Sequence, residues 1–226
     1  MFKIESIRKV LSLLNSAKAK YSKLSVDEIK LCISTGNVKI GRVMNVSLPP
    51  MLSCPNCKEC KHLCYDIKAC LQYPDTVVDA RIRNFVILTK DRDEYFNRID
   101  AAISRRRKNK FFRWHVAGDI MDTDYFDRMV KIAEQHPDFR FWTYTKNYCA
   151  VNAWVAEHGT VPENLSVMFS EWRGMPMDNP HNFPEFRVVF KDEQRPAGFY
   201  CPGNCDVCKA GNCGCVNRQT VYCMEH

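Results

Sequence analysis

Cysteine spacing constrains this chain more than any other feature. Cys54, Cys57, Cys60, Cys64 and Cys70 form one short group, and Cys201, Cys205, Cys208, Cys213, Cys215 and Cys223 form another. Cys32 and Cys149 stand apart, each expected as a small hydrophobe. The opening stretch MFKIESIRKVLSLLNSAKAK mixes Lys, Arg and Glu into its apolar positions. It reads as an amphipathic helix rather than a secretory signal. That implies a cytoplasmic chain, where thiols stay reduced and structural disulfides are rare. Metal is then the first explanation for grouped cysteines. No apolar run approaches about 18 residues, so no membrane-spanning helix and no membrane partner are expected. With 12% aromatic and 26% charged residues in a chain of 226, disorder is excluded and a sizeable core is affordable without staples.

Between the two groups the composition is that of an ordinary globular domain. Ile4, Ile7, Val10, Leu11 and Leu14 share one face of a helix over about 4–20. Ser25 and Glu28 have capping-box spacing and predict a second short helix. A strand over 43–47 ends at Pro49-Pro50, and helices follow over about 75–90 and 93–108. The segment 111–116 reads as a buried strand, and Asp122 caps a helix carrying Phe126, Met129, Val130 and Ala133 at i, i+3, i+4 and i+7. A strand over 139–144, a helix marked by Val151, Trp154 and Val155 that stops at Gly159, and strands over 165–169 and 186–190 complete the pattern. Alternating strands and helices predict an α/β fold with a parallel sheet, here an open, partial β/α barrel with a Cys-rich loop and a Cys-rich C-terminal tail. The expected divisions are an N-terminal helical segment over 1–40, the partial barrel over 41–195, and a metal-binding tail over 196–226 packed on the same domain.

Sites in such sheets gather at the carboxyl ends of the strands. Those ends carry the first Cys loop, His115 with Gly118-Asp119, Thr143 with Thr145 and Lys146, and Ser170-Glu171. The first Cys group reads C-x2-C-x2-C-x3-C over Cys54–Cys64, the run bacterial ferredoxins use for iron–sulfur ligation. Short spacings suit a cubane because one loop must wrap it. A zinc knuckle on Cys54 and Cys57, or unliganded thiols, are the alternatives. In the second group Cys201-x3-Cys205-x2-Cys208 leaves three further cysteines from which a fourth ligand could come. His115 is either a buried imidazole bonded to a carbonyl or a ligand, acid/base group or donor to a bound polar group. Asp119 could accept from an ammonium or hydroxyl, or simply cap a helix. Lys146 could meet a carboxylate or phosphate, or be a solvated loop lysine.

The formal charge is +7. Four thiolates on a 4Fe–4S cluster or on one zinc leave about −2 per site, so two sites bring the chain to roughly +3. Whole-chain basicity is therefore a weak argument for nucleic acid. The run Arg105-Arg106-Arg107-Lys108-Asn109-Lys110 is the better candidate contact, its alternative being a solvated helix end. The fingerprints for nucleoside triphosphates, dinucleotides, serine hydrolases and zincin metalloproteases are all absent.

Taken in order, Ser47-Leu48-Pro49, Cys54-Pro55, Cys60-x3-Cys64-Tyr65, Arg81-x2-Asn84, Arg113-x-His115-x2-Gly118-Asp119, Thr143-Tyr144-Thr145-Lys146, Pro162-Glu163-Asn164 and the Cys-rich tail resemble the phage and mobile-element family named after gene product eighty-eight. The resemblance covers about residues 40–215 and implies a phage-related, metal-dependent protein, which would act in the host cytoplasm. The layout is also similar to radical S-adenosylmethionine enzymes, where a Cys loop follows a strand and a later strand ends in a small-Gly-acid triplet. That similarity implies that Ala117-Gly118-Asp119 contacts the methionine amino group. Ile67 stands where a third loop cysteine would fall after Cys60-x3-Cys64, and Cys70 comes three residues later.

The combined expectation is an iron–sulfur protein with one or two 4Fe–4S clusters, possible S-adenosylmethionine binding, and zinc as the alternative metal. Cys54, Cys57, Cys60 and Cys64 would hold the first cluster, with Cys70 in reserve. Cys201, Cys205, Cys208 and one of Cys213, Cys215 or Cys223 would hold the second. His115, Asp119 and Lys146 are the candidate catalytic groups, and Gly118, Asp119 and Ser170 the candidate cofactor contacts. The rival class is a non-enzymatic cluster- or zinc-stabilised module that binds nucleic acid or a host protein.

Overall fold

The computed structural model describes residues 2–37, 40–205 and 214–225, so Cys208 and Cys213 lie outside the described residues. The chain divides into two compact units. The first comprises Met1–Ile33, Val46–Arg106 and His115–Asp119. The second comprises Ser34–Asn45, Arg107–Trp114 and Ile120–His226.

The first unit is helical around the Cys loop. Helix α1 (Ile4–Tyr21) buries Ile7, Val10 and Leu14 at i, i+3 and i+7, and packs on α2 (Tyr65–Gln72) and α3 (Asp79–Lys90). Ile4, expected on the same face, is exposed because the stripe finds no neighbour at the first turn. A wide turn at Pro74–Val78 leads into α3, whose Ile82, Phe85, Val86, Ile87 and Leu88 are all buried. Helix α4 (Arg92–Ser104) packs on α3 and begins where the Asp91 carboxylate accepts from the Glu94 N–H at 2.9 Å. It ends at Ser104, four residues short of the expected limit, because the Arg105–Asn109 stretch offers no apolar residue to extend its buried stripe.

Ser25 and Glu28 do make capping-box bonds, the Glu28 carboxylate accepting from the Ser25 N–H and hydroxyl at 2.8 Å each. No helix follows. One turn closes through Ile29 N–H to Val26 at 3.1 Å, and Ile29 is drawn fully into the core. The cap is satisfied, but burial of Ile29 redirects the chain before a second turn forms.

The described residues include an open, mostly parallel sheet of eight strands in the order β1-β2-β3-β4-β5-β6-β8-β7. The strands are β1 (Ile33–Ser34), β2 (Met44–Val46), β3 (Phe111–Trp114), β4 (Arg140–Thr145), β5 (Leu165–Glu171), β6 (Glu185–Val189), β7 (Phe199–Tyr200) and β8 (Val221–Met224). The pairings from β3 to β8 are parallel, with Phe112 beside Phe141, Thr143 beside Val167, and Arg187 beside Tyr222. Helix α5 (Thr123–Gln135) links β3 to β4, and α6 (Tyr148–His158) links β4 to β5. Asp122 caps α5 as expected, accepting from Tyr125 N–H at 2.8 Å. Helices α5 and α6 pack together, with Phe126 edge-on to Trp154. Strand β5 is buried almost throughout, as parallel strands are. The sequence had not revealed β7 and β8: the C-terminal segment contributes two strands, and β8 slots between β6 and β7.

Candidate metal centre and neighbouring polar groups

The first Cys loop is fastened to the end of β2 before it begins. His115 N–H donates to Val46 C=O at 3.0 Å, Leu48 N–H to Ala117 C=O at 2.9 Å, and Ala117 N–H to Ser47 Oγ at 3.3 Å. Asn84 on α3 is buried here; its amide donates to the carbonyls of Ser47 at 3.0 Å and Cys32 at 2.9 Å. Its oxygen accepts from Cys32 N–H at 2.7 Å, so both ends of the carboxamide are engaged. Pro49 C=O accepts from both the N–H and the hydroxyl of Ser53, turning the chain into Cys54.

Gly118 makes the close approach possible. It lies at φ +87°, and a Cβ there would sit 2.7 Å from both Leu48 Cβ and Ser53 Oγ. His115, almost fully buried, also lies in left-handed space at φ 53°. A bulky residue held there is a local strain that the surrounding hydrogen bonds must maintain. Asp119 is buried, and its charge reaches the Cys54 thiol.

Cys54, Cys57, Cys60 and Cys64 are all half-buried, and none is in a disulfide. Cys57 N–H donates to Cys54 C=O at 3.1 Å, and Cys64 stands at the N-cap of α2, its carbonyl accepting from Ile67. The hydrogen bond with Cys60 does most to hold the Cys57 thiol far above the ordinary range, followed by burial and the charges of Cys60, Cys54 and Cys64. Burial dominates for Cys54, with Asp119, Cys64 and Cys60 adding to it. Burial likewise raises Cys64, which also feels Asp66 and Cys60. Thiols raised in this way lose their protons more readily when a cation binds beside them, so the chemistry of the donor set suits thiolate ligation. Among the described residues no three Cys, His, Asp or Glu donors are gathered tightly enough for a single metal ion.

Cys70 is wholly buried on the inner side of α2, its Sγ 4.0 Å from Asp66 Oδ2. Burial first, then the Asp66 charge, push its thiol up to about 12. Asp66 is 1% exposed and receives Arg81 Nε at 3.0 Å and Nη2 at 2.7 Å. That ion pair was not foreseen. Its one signal in the sequence was an acid beside Ile67 and four residues before Cys70, on a face otherwise apolar.

The second unit holds the other expected groups. Lys146 donates to Ser170 Oγ at 2.9 Å and lies 5.5 Å from the Trp172 ring centroid. Tyr148 donates to Ser170 C=O at 2.5 Å, and Asn147 bridges the carbonyls of Ile120 and Met121. In the tail, Tyr144 donates to Cys215 Sγ at 2.8 Å, with Cys201 and Cys205 packed against the same cluster. Burial chiefly, and the sulfur beside it, hold the Tyr144 hydroxyl protonated. Arg105, Arg107 and Lys108 are exposed just beyond α4, where cations complement the helix dipole, while Lys110 pairs with Asp138.

His115, Gly118 and Asp119 therefore share the first unit with the four loop cysteines, and Lys146 and Ser170 form a pair in the second. Among the described residues no helix is long and apolar enough to cross a membrane.

The family model described as Gene product 88 matches residues 15–221. The chain is 27% identical over 148 residues to the Gene 88 protein of Mycobacterium phage L5, an alignment covering 60% of this chain and 59% of that protein. The chain thus spans little more than half the length of that relative. No solved structure gives a significant match.

Proposed function

From the premise that the chain belongs to the Gene product 88 family, we propose that it is an iron–sulfur protein of phage origin whose cluster is held by Cys54, Cys57, Cys60 and Cys64. The carrying observation is that these four half-buried cysteines lie on one anchored loop, none of them in a disulfide, with burial and neighbouring groups raising the Cys54, Cys57 and Cys64 thiols, a state that a bound cation reverses. The short C-x2-C-x2-C-x3-C spacing favours a cubane over a zinc knuckle.

The finer reading is a cluster-dependent enzyme similar to the radical S-adenosylmethionine type, on a sheet that would count as a partial barrel. A 4Fe–4S group supplies one-electron chemistry when bound. The chain's own part is to hold a polar ligand beside it. Gly118 brings the backbone close to the Cys loop, Asp119 offers a buried carboxylate to an ammonium or hydroxyl, and His115 is fixed in a strained pose next to both. In the second unit Lys146, steadied by Ser170, is the candidate cation for a carboxylate or phosphate. The reading calls for a compartment that keeps thiols reduced, such as the host cytoplasm.

Metal and sulfide analysis of anaerobically purified protein, with its visible spectrum, is the test. Equal iron and sulfide, a broad band near ~400 nm that bleaches on reduction, and loss of both in a Cys54→Ser/Cys57→Ser variant are expected. Zinc without sulfide would overturn the proposal. A change in the reduced cluster's spectrum on adding S-adenosylmethionine supports the finer reading, and an unchanged spectrum removes it.

A further inference from the structure

We infer that Cys57 and Cys60 are a reversible dithiol–disulfide pair, closed by a small disulfide such as oxidised glutathione when the chain holds no metal. Closure removes two of the four proposed ligands. That consequence rests on the proposed metal site, and the disulfide itself does not.

The pair is set apart by what each sulfur of the loop bonds. The Cys57 thiol is hydrogen-bonded to Cys60, so the two side chains already meet. Cys54 and Cys64 are engaged differently, with the backbone N–H of Met51 bonded to the Cys54 sulfur and those of Asp66 and Ile67 bonded to the Cys64 sulfur. Cys70 is wholly buried beside Asp66.

The backbone holds Cys57 and Cys60 close. Cys57 N–H donates to Cys54 C=O at 3.1 Å and Lys58 N–H to Asn56 C=O at 2.9 Å, turning the chain just before the short 3-10 helix Glu59–Leu63 that carries Cys60. C-x2-C is the spacing of dithiol redox motifs. A disulfide brings its sulfurs to about 2 Å, so from hydrogen-bond contact closure asks for side-chain rotation rather than a refolded loop. Both cysteines are half-buried rather than sealed, and Lys58 and Glu59 between them are exposed. Lys58 and Lys61 each follow one of the pair and supply cations that favour a reactive thiolate and an anionic reagent.

The Cys57 thiol is the donor in the pair, which leaves the Cys60 sulfur as the nucleophile. Cys60 attacks the glutathione disulfide and releases one glutathione, which takes the Cys60 proton. Cys57 then attacks the Cys60 sulfur and releases the second glutathione with the Cys57 proton. One S–S bond breaks and one forms, and the two electrons lost by the protein thiols reduce the glutathione disulfide.

The test incubates the full chain, stripped of metal by a chelator, with oxidised glutathione, then alkylates it, digests it with trypsin and maps it by mass spectrometry. Lys58 lies between the two cysteines, so cleavage there leaves them on separate peptides and the disulfide appears as a linked pair. A Cys57–Cys60 link without retained glutathione, undone by dithiothreitol, is expected. In Cys57→Ser, glutathione should stay on Cys60. A link from Cys57 to Cys54 or from Cys60 to Cys64, glutathione retained on the wild-type pair, or an unreacted pair while the exposed Cys149 is modified would each overturn the inference. If Cys57→Ser fails to fold by circular dichroism, the wild-type map still decides. Oxidised and reduced chains are then offered iron and sulfide anaerobically. The reduced chain should load, and the oxidised chain should load nothing until dithiothreitol is added. Equal loading would remove the switch. If neither chain loads, the proposed metal site and the consequence drawn from it fall, while the mapped disulfide stands.

Discussion

Gly118→Ala tests whether the Cys loop is truly clamped by the segment after β3. Two costs add. The alanine must take φ +87°, where an L side chain costs about 1–2 kcal/mol. Its Cβ must also displace Leu48 Cβ and Ser53 Oγ, each 2.7 Å away. Neither neighbour is the free end of a flexible chain. Leu48 Cβ is fixed by a backbone that bonds Ala117, and Ser53 Oγ is bonded to Pro49 C=O. Overpacking of that kind costs about 1–3 kcal/mol. The sum is about 3 kcal/mol, two orders of magnitude in the folding equilibrium, or about 6–12 °C in Tm for a chain of this size. Gly159→Ala is the control. Gly159 also has a positive φ, +90°, but nothing lies within 4 Å of its missing Cβ, so it carries a conformational cost and no packing cost. Urea unfolding of both variants, followed by circular dichroism, compares a crowded positive-φ glycine with an open one. If Gly118→Ala costs no more than Gly159→Ala, the clamp does not exist as described.

Asp66→Ala should destabilise the chain by about 3–5 kcal/mol in urea unfolding, because Arg81 keeps its charge in a largely buried place with no partner; a loss under about 1 kcal/mol would show the pair to be solvated. The metal-free chain should lose stability as pH rises above about 8.5. The folded state holds Cys54, Cys57, Cys64 and Cys70 protonated while the unfolded chain releases those protons first, so the loss continues towards the raised value of about 12 for Cys70. Thermal unfolding under reducing conditions from pH 7 to 10 checks this, and a flat profile would contradict the burial of these thiols.

Local signals carried the regular parts of the fold. Helix α5 was legible because its cap and its apolar period are written within thirteen residues of one another. The parallel sheet was legible from alternation, since β3, α5, β4, α6 and β5 follow in order. Where the reading failed, a distant contact decided. Ser25 and Glu28 form the bonds of a helix start, but Ile29 goes into the core and the chain turns away. Phe199-Tyr200 is too short to show a period, and Val221–Met224 was hidden by its own cysteine, so β7 and β8 passed as part of a metal-binding tail.

The candidate site divides along the same line. The first Cys group announces itself because its spacing is local, and its nearness to Asp119 followed from strand order alone. What spacing cannot supply is the surroundings of each tail cysteine. Cys215 and Cys223 are equivalent as letters, yet one sulfur meets a tyrosine hydroxyl in a packed cluster and the other rests by a strand carbonyl. The difference comes from β4, seventy-one residues earlier, which brings Tyr144 under the turn that Gly214 allows. A spacing motif therefore names which sulfurs could act as ligands, while the donors and packing around each sulfur are set by residues far away in the chain.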